Sequence, residues 1–333
     1  MTNTSPQTPV PPLLEIKDLA IGFGSGGYLP VKGLDFILRK GEVAGLVGES
    51  GSGKSLTAYG LMGLLPYGAS FRRGQIIFKG SDILALPPRE RRSLAGSSMG
   101  MIFQEPLTAL NPVITVGEQV AEIFRIKLGH DRRQARESAC ALLSQVGLPN
   151  PRAAYSSYPH RFSGGMRQRV VIAMALALNP DLVIADEPTT ALDPTIALQI
   201  IRLLADMTSQ RGTGVLFITH NLRILHGLAC RIFVMYAGLI MEETGERGMT
   251  DPVHPYTRGL VAALPPNPSQ NEGKTLVPIP GQAPGPRDIL PGCPFAPRCP
   301  EGEPRCSGSL PELLPVAGGG KVRCFKREAN GAA

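Results

Sequence analysis

The sequence predicts an α/β fold followed by a Cys- and Pro-rich C-terminal extension. Three observations carry this prediction. Short apolar runs alternate with helix-forming segments from about residue 13 to about residue 245. No segment repeats at a fixed period, so the chain holds one such unit. Half of the 32 prolines lie between Asp251 and Pro315, a composition shift that sets a boundary near residue 250. At 333 residues the chain can bury a proper core without disulfide staples.

The elements follow in order. Residues 1–12 form a Thr/Pro-rich tail, expected to be disordered, with neither the charged nor the apolar region of a signal peptide. Leu13–Lys17 reads as a first strand. Glu42–Val47 is a short apolar run ending at glycine, as a buried strand would be. Leu56–Leu65 is the first helix, and Gln75–Lys79 and Met99–Phe103 are strands. Val116–Leu128 and Arg132–Val146 carry helical periodicity. Gly165–Leu178 is a further helix, Leu182–Ala185 a buried strand, Pro194–Met207 a helix and Val215–Thr219 a strand. Ile232–Tyr236 and Leu239–Glu243 make a hairpin turned at Ala237-Gly238. The expected division is residues 13–250 as one unit and 251–333 as an extension.

Charge and hydropathy exclude several classes. The net charge of +7 is spread over the chain, +2 in residues 251–333 and +5 in the rest, so it resembles neither a nucleic-acid arm nor a polybasic anchor. The longest apolar run, Val170–Leu178, has nine residues, against the roughly 18–20 a membrane span needs. A cytoplasmic chain is the default expectation, with any membrane role supplied by a partner.

Gly48-Glu-Ser-Gly-Ser-Gly-Lys-Ser55 matches the phosphate-loop pattern in full and lies between a strand and a helix. Gly48, Gly51 and Gly53 let the backbone curl between Ser50 and Ser52, so that N–H groups point at a β-phosphate. The helix that follows from Leu56 presents its positive N-terminal end. Lys54 would neutralise β/γ-phosphate charge, and Ser55 would ligate Mg²⁺. Leu182-Val-Ile-Ala-Asp186-Glu187 supplies the other half: Asp186 for the Mg²⁺ shell and Glu187 to polarise an attacking water. Together the two motifs predict a nucleoside triphosphatase.

Phe162-Ser163-Gly164-Gly165-Met166 opens a second helix and forms a second anion-ready N-terminus. This segment resembles the signature of ATP-binding-cassette (ABC) proteins, usually LSGGQ, with Phe162 for Leu and Met166 for Gln. The remaining cassette motifs appear in the family's order. Gln104, in Phe103-Gln-Glu-Pro106, resembles the Q-loop glutamine. Asp193, in Ala191-Leu-Asp193, resembles the D-loop. His220 matches the switch histidine, 33 residues after Glu187. Phe23 falls where the family stacks an aromatic on adenine, with Tyr28 as the competing choice. The resemblance covers about residues 13–245. It implies a P-loop NTPase cassette that binds ATP and Mg²⁺, with Gln104 also near the metal. It also implies a helical subdomain at about residues 105–175, and a head-to-tail pairing in which Ser163, Gly164 and Gly165 complete the partner's ATP site.

Lys54 and Ser163 are 109 residues apart. That interval cannot hold the long coiled coil of DNA-repair relatives, and no sustained heptads occur. Translation-factor relatives carry two cassettes, and many exporters fuse the membrane domain; neither pattern is present.

The extension reads His254-Pro-Tyr256-Thr-Arg258, then a Pro-rich connector, then Cys293, Cys299, Cys306 and Cys324 in C-x5-C-x6-C-x17-C spacing. His254 is read as part of a structural turn. Cys140 and Cys230 read as packed thiols. In a reducing compartment four clustered cysteines suit structural zinc or an iron–sulfur cluster rather than disulfides. The short C-x2-C knuckle of zinc ribbons is missing. Residues 251–326 closely resemble the extension of oligopeptide/dipeptide importer ATPase subunits, a branch that also includes nickel and other small-solute importers. That resemblance implies a 4Fe-4S cluster on the four cysteines, with zinc or no metal as the alternatives. It further implies separate membrane permease subunits, a second cassette (a related subunit or an identical one), an extracytoplasmic substrate-binding protein acting indirectly, and no nucleic acid. The expected place is the cytoplasmic face of the inner membrane. The cargo would be peptides; nickel, glutathione or another small solute is the alternative. A soluble regulator of nucleic acid or translation is the distant one.

Overall fold

The structure is a computed structural model. It describes residues 11–24, 27–190, 192–225, 228–245, 249–264, 277–285, 288, 290–317 and 319–328. Most of the Thr/Pro-rich tail, and Ala191 of the Ala-Leu-Asp motif, lie outside the described residues.

Two long strands, β1 (Leu14–Phe23) and β2 (Tyr28–Leu38), open the chain, and β3 (Val43–Val47) leads into helix α1 (Lys54–Leu61). Then come β4 (Ala69–Phe78), the two-residue β5 (Ser81–Asp82), α2 (Pro88–Leu94) and β6 (Met99–Ile102). A helical stretch follows: α3 (Pro106–Ala109), α4 (Val116–Leu128), α5 (Arg132–Gln145), α6 (Pro151–Tyr155) and α7 (Gly164–Leu176). Alternation resumes with β7 (Leu182–Asp186), α8 (Pro194–Arg211), β8 (Gly214–Thr219) and α9 (Leu222–Leu225), and with the hairpin β9 (Arg231–Tyr236) and β10 (Leu239–Thr244). The extension adds α10 (Pro255–Ala262), a 3-10 turn at Ala296–Arg298, α11 (Pro304–Gly308), β11 (Leu314–Pro315), β12 (Gly320–Val322) and α12 (Phe325–Glu328).

Two sheets form. The smaller is antiparallel, in the order β2-β1-β4-β5. The larger runs β11-β12-β10-β9-β3-β8-β7-β6. Its β6, β7, β8, β3 and β9 pair in parallel. Every residue of β7 and β8 is buried, as a parallel sheet covered on both faces requires. The pleat divides these residues between two cores. Val183, Ala185, Val215 and Phe217 face a core shared with α4, α5, α7 and α8. Leu182, Ile184, Leu216 and Ile218 face a core shared with β1, β2 and α1. The loops carrying Gly48, Gln104, Glu187 and His220 all leave the carboxyl ends of these parallel strands, where α/β sheets place their ligands.

Two differences from the sequence reading have physical causes. No strand is expected from the sequence over Tyr28–Leu38, a segment interrupted by Pro30 and by Gly33 at φ +121°. β2 is an edge strand, where a missing N–H is tolerated. The extension contributes to the central sheet through β12, which pairs with β10 at Glu242–Val322, Glu243–Lys321 and Thr244–Gly320. Three residues are too few to show a strand period.

Candidate active site and thiol pocket

α1 starts without a side-chain cap. Its N-cap is Gly53, at φ +106°, and no side chain bonds there. The N–H groups of Lys54, Ser55 and Leu56 therefore lack intrahelical partners, which makes this end an anion site. The loop is pressed against β2 and β9. A Cβ at Gly48 would lie 2.0 Å from the Met235 carbonyl oxygen, and one at Gly53 would lie 2.7 Å from that of Pro30. Lys54 Nζ donates to the carbonyls of Gly48 and Glu49, each at 2.8 Å, and to Ser52 Oγ at 3.3 Å. Burial holds its pKa below the ordinary lysine value, against the opposing pull of Glu187, Asp186 and Glu49. The curled loop and its cation are thus already assembled.

Asp186 ends β7. Its Oδ1 accepts from Ser55 Oγ at 3.2 Å, and its Oδ2 is buried with no partner. Burial pushes this carboxyl up to about 6, with the Glu187 charge adding to the rise and the Ser55 hydrogen bond and Lys54 opposing it. An orphaned carboxylate oxygen beside a serine hydroxyl fits a hard divalent cation such as Mg²⁺.

Glu187 occupies a left-handed backbone position, φ +46°, and its N–H donates to Ile218 at 2.9 Å. A non-glycine residue there costs energy, which the surrounding contacts must offset. Its Oε1 lies 3.0 Å from His220 Nδ1. Its Oε2 accepts from Gln104 Nε2 at 3.2 Å and from Thr190 Oγ1 at 2.8 Å. Burial raises its pKa, but the His220 and Thr190 hydrogen bonds and the His220 and Lys54 charges outweigh burial and leave it lowered. The carboxylate is therefore ionised and oriented, the state a general base needs. Gln104, Glu187 and His220, chosen by motif, converge here; Thr190 was missed by the sequence reading.

Ser163, Gly164, Gly165 and Asp193 form a separate locale. Ser163 caps α7 by accepting from the Met166 N–H at 3.4 Å. Asp193 caps α8 by accepting from the N–H groups of Thr195 and Ile196 at 3.2 and 3.1 Å. A Cβ at Gly165 would meet Ile196 at 2.5 Å. Among the described residues neither segment hydrogen-bonds the Lys54 loop. Ser163 and Gly164 are exposed. Phe23 and Tyr28 stack on each other, 5.7 Å between ring centroids. Tyr28 also lines a cleft of about 400 Å³ beside Glu49–Ser52.

Cys293, Cys299, Cys306 and Cys324 line one pocket, together with His254, Phe295 and Phe325. His254 accepts from the Tyr256 N–H through Nδ1 and donates its own N–H to Glu242, the structural turn the sequence indicated. Among the described residues no group of three or more His, Cys, Asp or Glu is arranged to hold a metal ion. The four thiols line this common space without forming such a group. Burial and the nearby charges of Cys306, Cys324 and Cys299 push the Cys293 thiol up to about 11. Four thiolates here would require compensating positive charge, and an all-sulfur donor set suits zinc as well as an iron–sulfur cluster.

Comparison with known proteins decides the family. Residues 31–190 match the ABC transporter family, and residues 243–306 match the C-terminal region of oligopeptide/dipeptide transporters. The chain is 44% identical over 332 residues, 98% of each chain, to an oligopeptide transport ATP-binding protein, OppD, of Salmonella typhimurium. This chain belongs to the ABC transporter family, in its oligopeptide/dipeptide branch. A second relative of this ABC ATPase is the Bacillus subtilis oligopeptide transport ATP-binding protein AppD, 43% identical over 91% of this chain and 92% of the other. Among solved structures, the dimeric cassette MJ0796 in a post-hydrolysis state with ADP and Pi matches with a TM-score of 0.63. That match has 26% identity and covers 71% of this chain and 99% of that one. The ABC fold and ATPase class read from the sequence are thereby confirmed. No helix among the described residues is long and apolar enough to cross a membrane.

Proposed function

We propose that this ABC ATPase energises the import of peptides through separate permease subunits at the cytoplasmic face of the inner membrane. The observation that carries the reading is Glu187, held by Gln104, Thr190 and His220 next to the Asp186–Ser55 pair. ATP phosphates dock on the N–H groups of Gly51–Leu56 with Lys54 as counter-charge. Ser55, Asp186 and Gln104 hold Mg²⁺, which supplies charge stabilisation for the transferred phosphoryl group. Glu187 takes a proton from the attacking water, while Gln104 and His220 register the γ-phosphate. Phe23 stacks on the adenine, with Tyr28, packed against its ring, as the alternative.

The exposed Ser163–Gly165 helix end and Asp193 complete the site of a second cassette in a head-to-tail dimer, with a related subunit favoured over an identical one. Residues 13–250 act as the motor, with residues 105–175 as its helical subdomain, and 251–333 as the extension. Cys293, Cys299, Cys306 and Cys324 hold a 4Fe-4S cluster. A substrate-binding protein delivers the peptide from outside. Names of the similar proteins and the matching extension support peptides as cargo.

The test is Glu187→Gln in the complex with its permease, reconstituted in vesicles. ATP binding should persist while hydrolysis and peptide uptake fall at least about 100-fold. Undiminished hydrolysis would remove Glu187 from the role of base. Normal coupled hydrolysis without peptide accumulation in the wild-type complex would shift the cargo to another solute.

A further inference from the structure

The extension reaches the phosphate loop. Arg298, beside Cys299 in the Ala296–Arg298 turn, is 6% exposed and bridges both oxygens of Glu49: Nη1 to Oε2 at 2.7 Å and Nη2 to Oε1 at 3.1 Å. Nη1 also donates to Tyr236 Oη at 3.1 Å, and Nε to the Pro280 carbonyl at 2.8 Å. Tyr256, fully buried in α10, accepts the Glu49 N–H on its hydroxyl at 2.9 Å. The rings of Tyr236, Tyr256 and Phe295 pack together, with centroids 4.5–5.5 Å apart, so both contacts rest on a rigid base.

Glu49 is the second residue of the Gly48–Ser55 loop, and its own carbonyl accepts from Lys54 Nζ. One loop residue is therefore gripped by its side chain and its N–H from the extension, and by its carbonyl from the lysine. Bidentate Arg–carboxylate pairs are strong and directional. The desolvation cost of burying one is offset by good geometry and further hydrogen bonds, which Tyr236 and the Pro280 carbonyl supply to Arg298; the residue so held is the one whose carbonyl accepts from Lys54.

We propose that Arg298 and Tyr256 are positioning residues for ATP binding: acting through Glu49, they hold the phosphate loop in its curled form and thereby set its affinity for ATP. The inference rests on the Lys54 loop being the ATP-phosphate site. The experiment uses the full chain in complex with its permease. It measures KM and kcat for MgATP, ATP binding in the Glu187→Gln background, and melting temperature. Arg298→Ala should raise KM and the ATP dissociation constant about 5–10-fold, with kcat changed by less than about twofold. Tyr256→Phe removes one hydroxyl from a ring that stays packed, and should raise KM about 2–5-fold; it stands in if Arg298→Ala fails to fold. Lys54→Ala is the control. If Lys54→Ala abolishes binding while Tyr256→Phe and a folded Arg298→Ala leave KM unchanged, the positioning role is wrong, whatever the melting temperatures do. If Lys54→Ala binds ATP normally, the phosphate-site reading fails first and the inference with it.

Discussion

Adjacent carboxylates at the end of β7 are driven in opposite directions. Glu187 is lowered by its hydrogen-bonded partners, whereas Asp186 is raised to about 6 by burial. The native state thus holds the Asp186 proton more tightly than the unfolded chain, where a carboxyl titrates near 4. Its contribution is complete below about pH 4 and is lost as pH rises through about 6. Asp186→Asn should therefore raise the stability of the nucleotide-free protein at pH 7.5, by on the order of 2 kcal/mol, and much less at pH 4.5. Added Mg²⁺ should stabilise wild type at pH 7.5 and not the variant. Thermal melts at both pH values check this, and parallel pH curves for the two proteins would sink it. At this scale strand ends and loop spacing named Lys54, Ser55, Asp186 and Glu187, and the resemblance to the ABC family named Gln104 and His220. Neither named Thr190, although a hydroxyl three residues beyond the base was a usable local signal. Glu49 and Arg298 were beyond reach, since their contact spans 249 residues and no periodicity encodes it.

Caps and edges decide matters at the level of elements. α1 leaves its N-terminal N–H groups open to an anion, while Ser163 caps one N–H of α7, that of Met166, and Asp193 caps two of α8. The same residue types that mark the signature and the Asp motif thus shape the helices that present them. β12 attaches the extension to β10, and Gly320 makes that possible: at φ +87°, a Cβ would lie 2.2 Å from the Glu243 carbonyl oxygen. Gly320→Ala should cost about 2 kcal/mol and speed amide exchange at Glu242–Thr244. An unchanged melting temperature with unchanged exchange there would contradict the pairing. Fully buried strands such as β7 and β8 were legible from their apolar runs. The β2 edge strand and the three-residue β12 were not, because one carries breakers and the other is too short for a pattern.

Across the whole molecule, the alternation of elements announced an α/β unit, the motifs and their family resemblance made it a cassette, and the proline shift near residue 250 announced the extension. What composition could not convey is that the extension is built into the cassette, through β12, through Glu242 under the His254 turn, and through Arg298. The cluster proposal predicts iron and acid-labile sulfide at about four each per chain after anaerobic purification, both lost in Cys299→Ser; stoichiometric zinc without iron would reject it. The Arg298–Glu49 contact also has a meaning for biosynthesis. A ribosome adding roughly 5–20 residues per second makes Glu49 some 12–50 s before Arg298, 249 residues later. During that interval the nascent phosphate loop lacks its far-side support, and a chain that ends early never acquires it. Completion of the polypeptide thus becomes a condition for full grip on ATP, so an unfinished motor competes poorly for the fuel of finished ones.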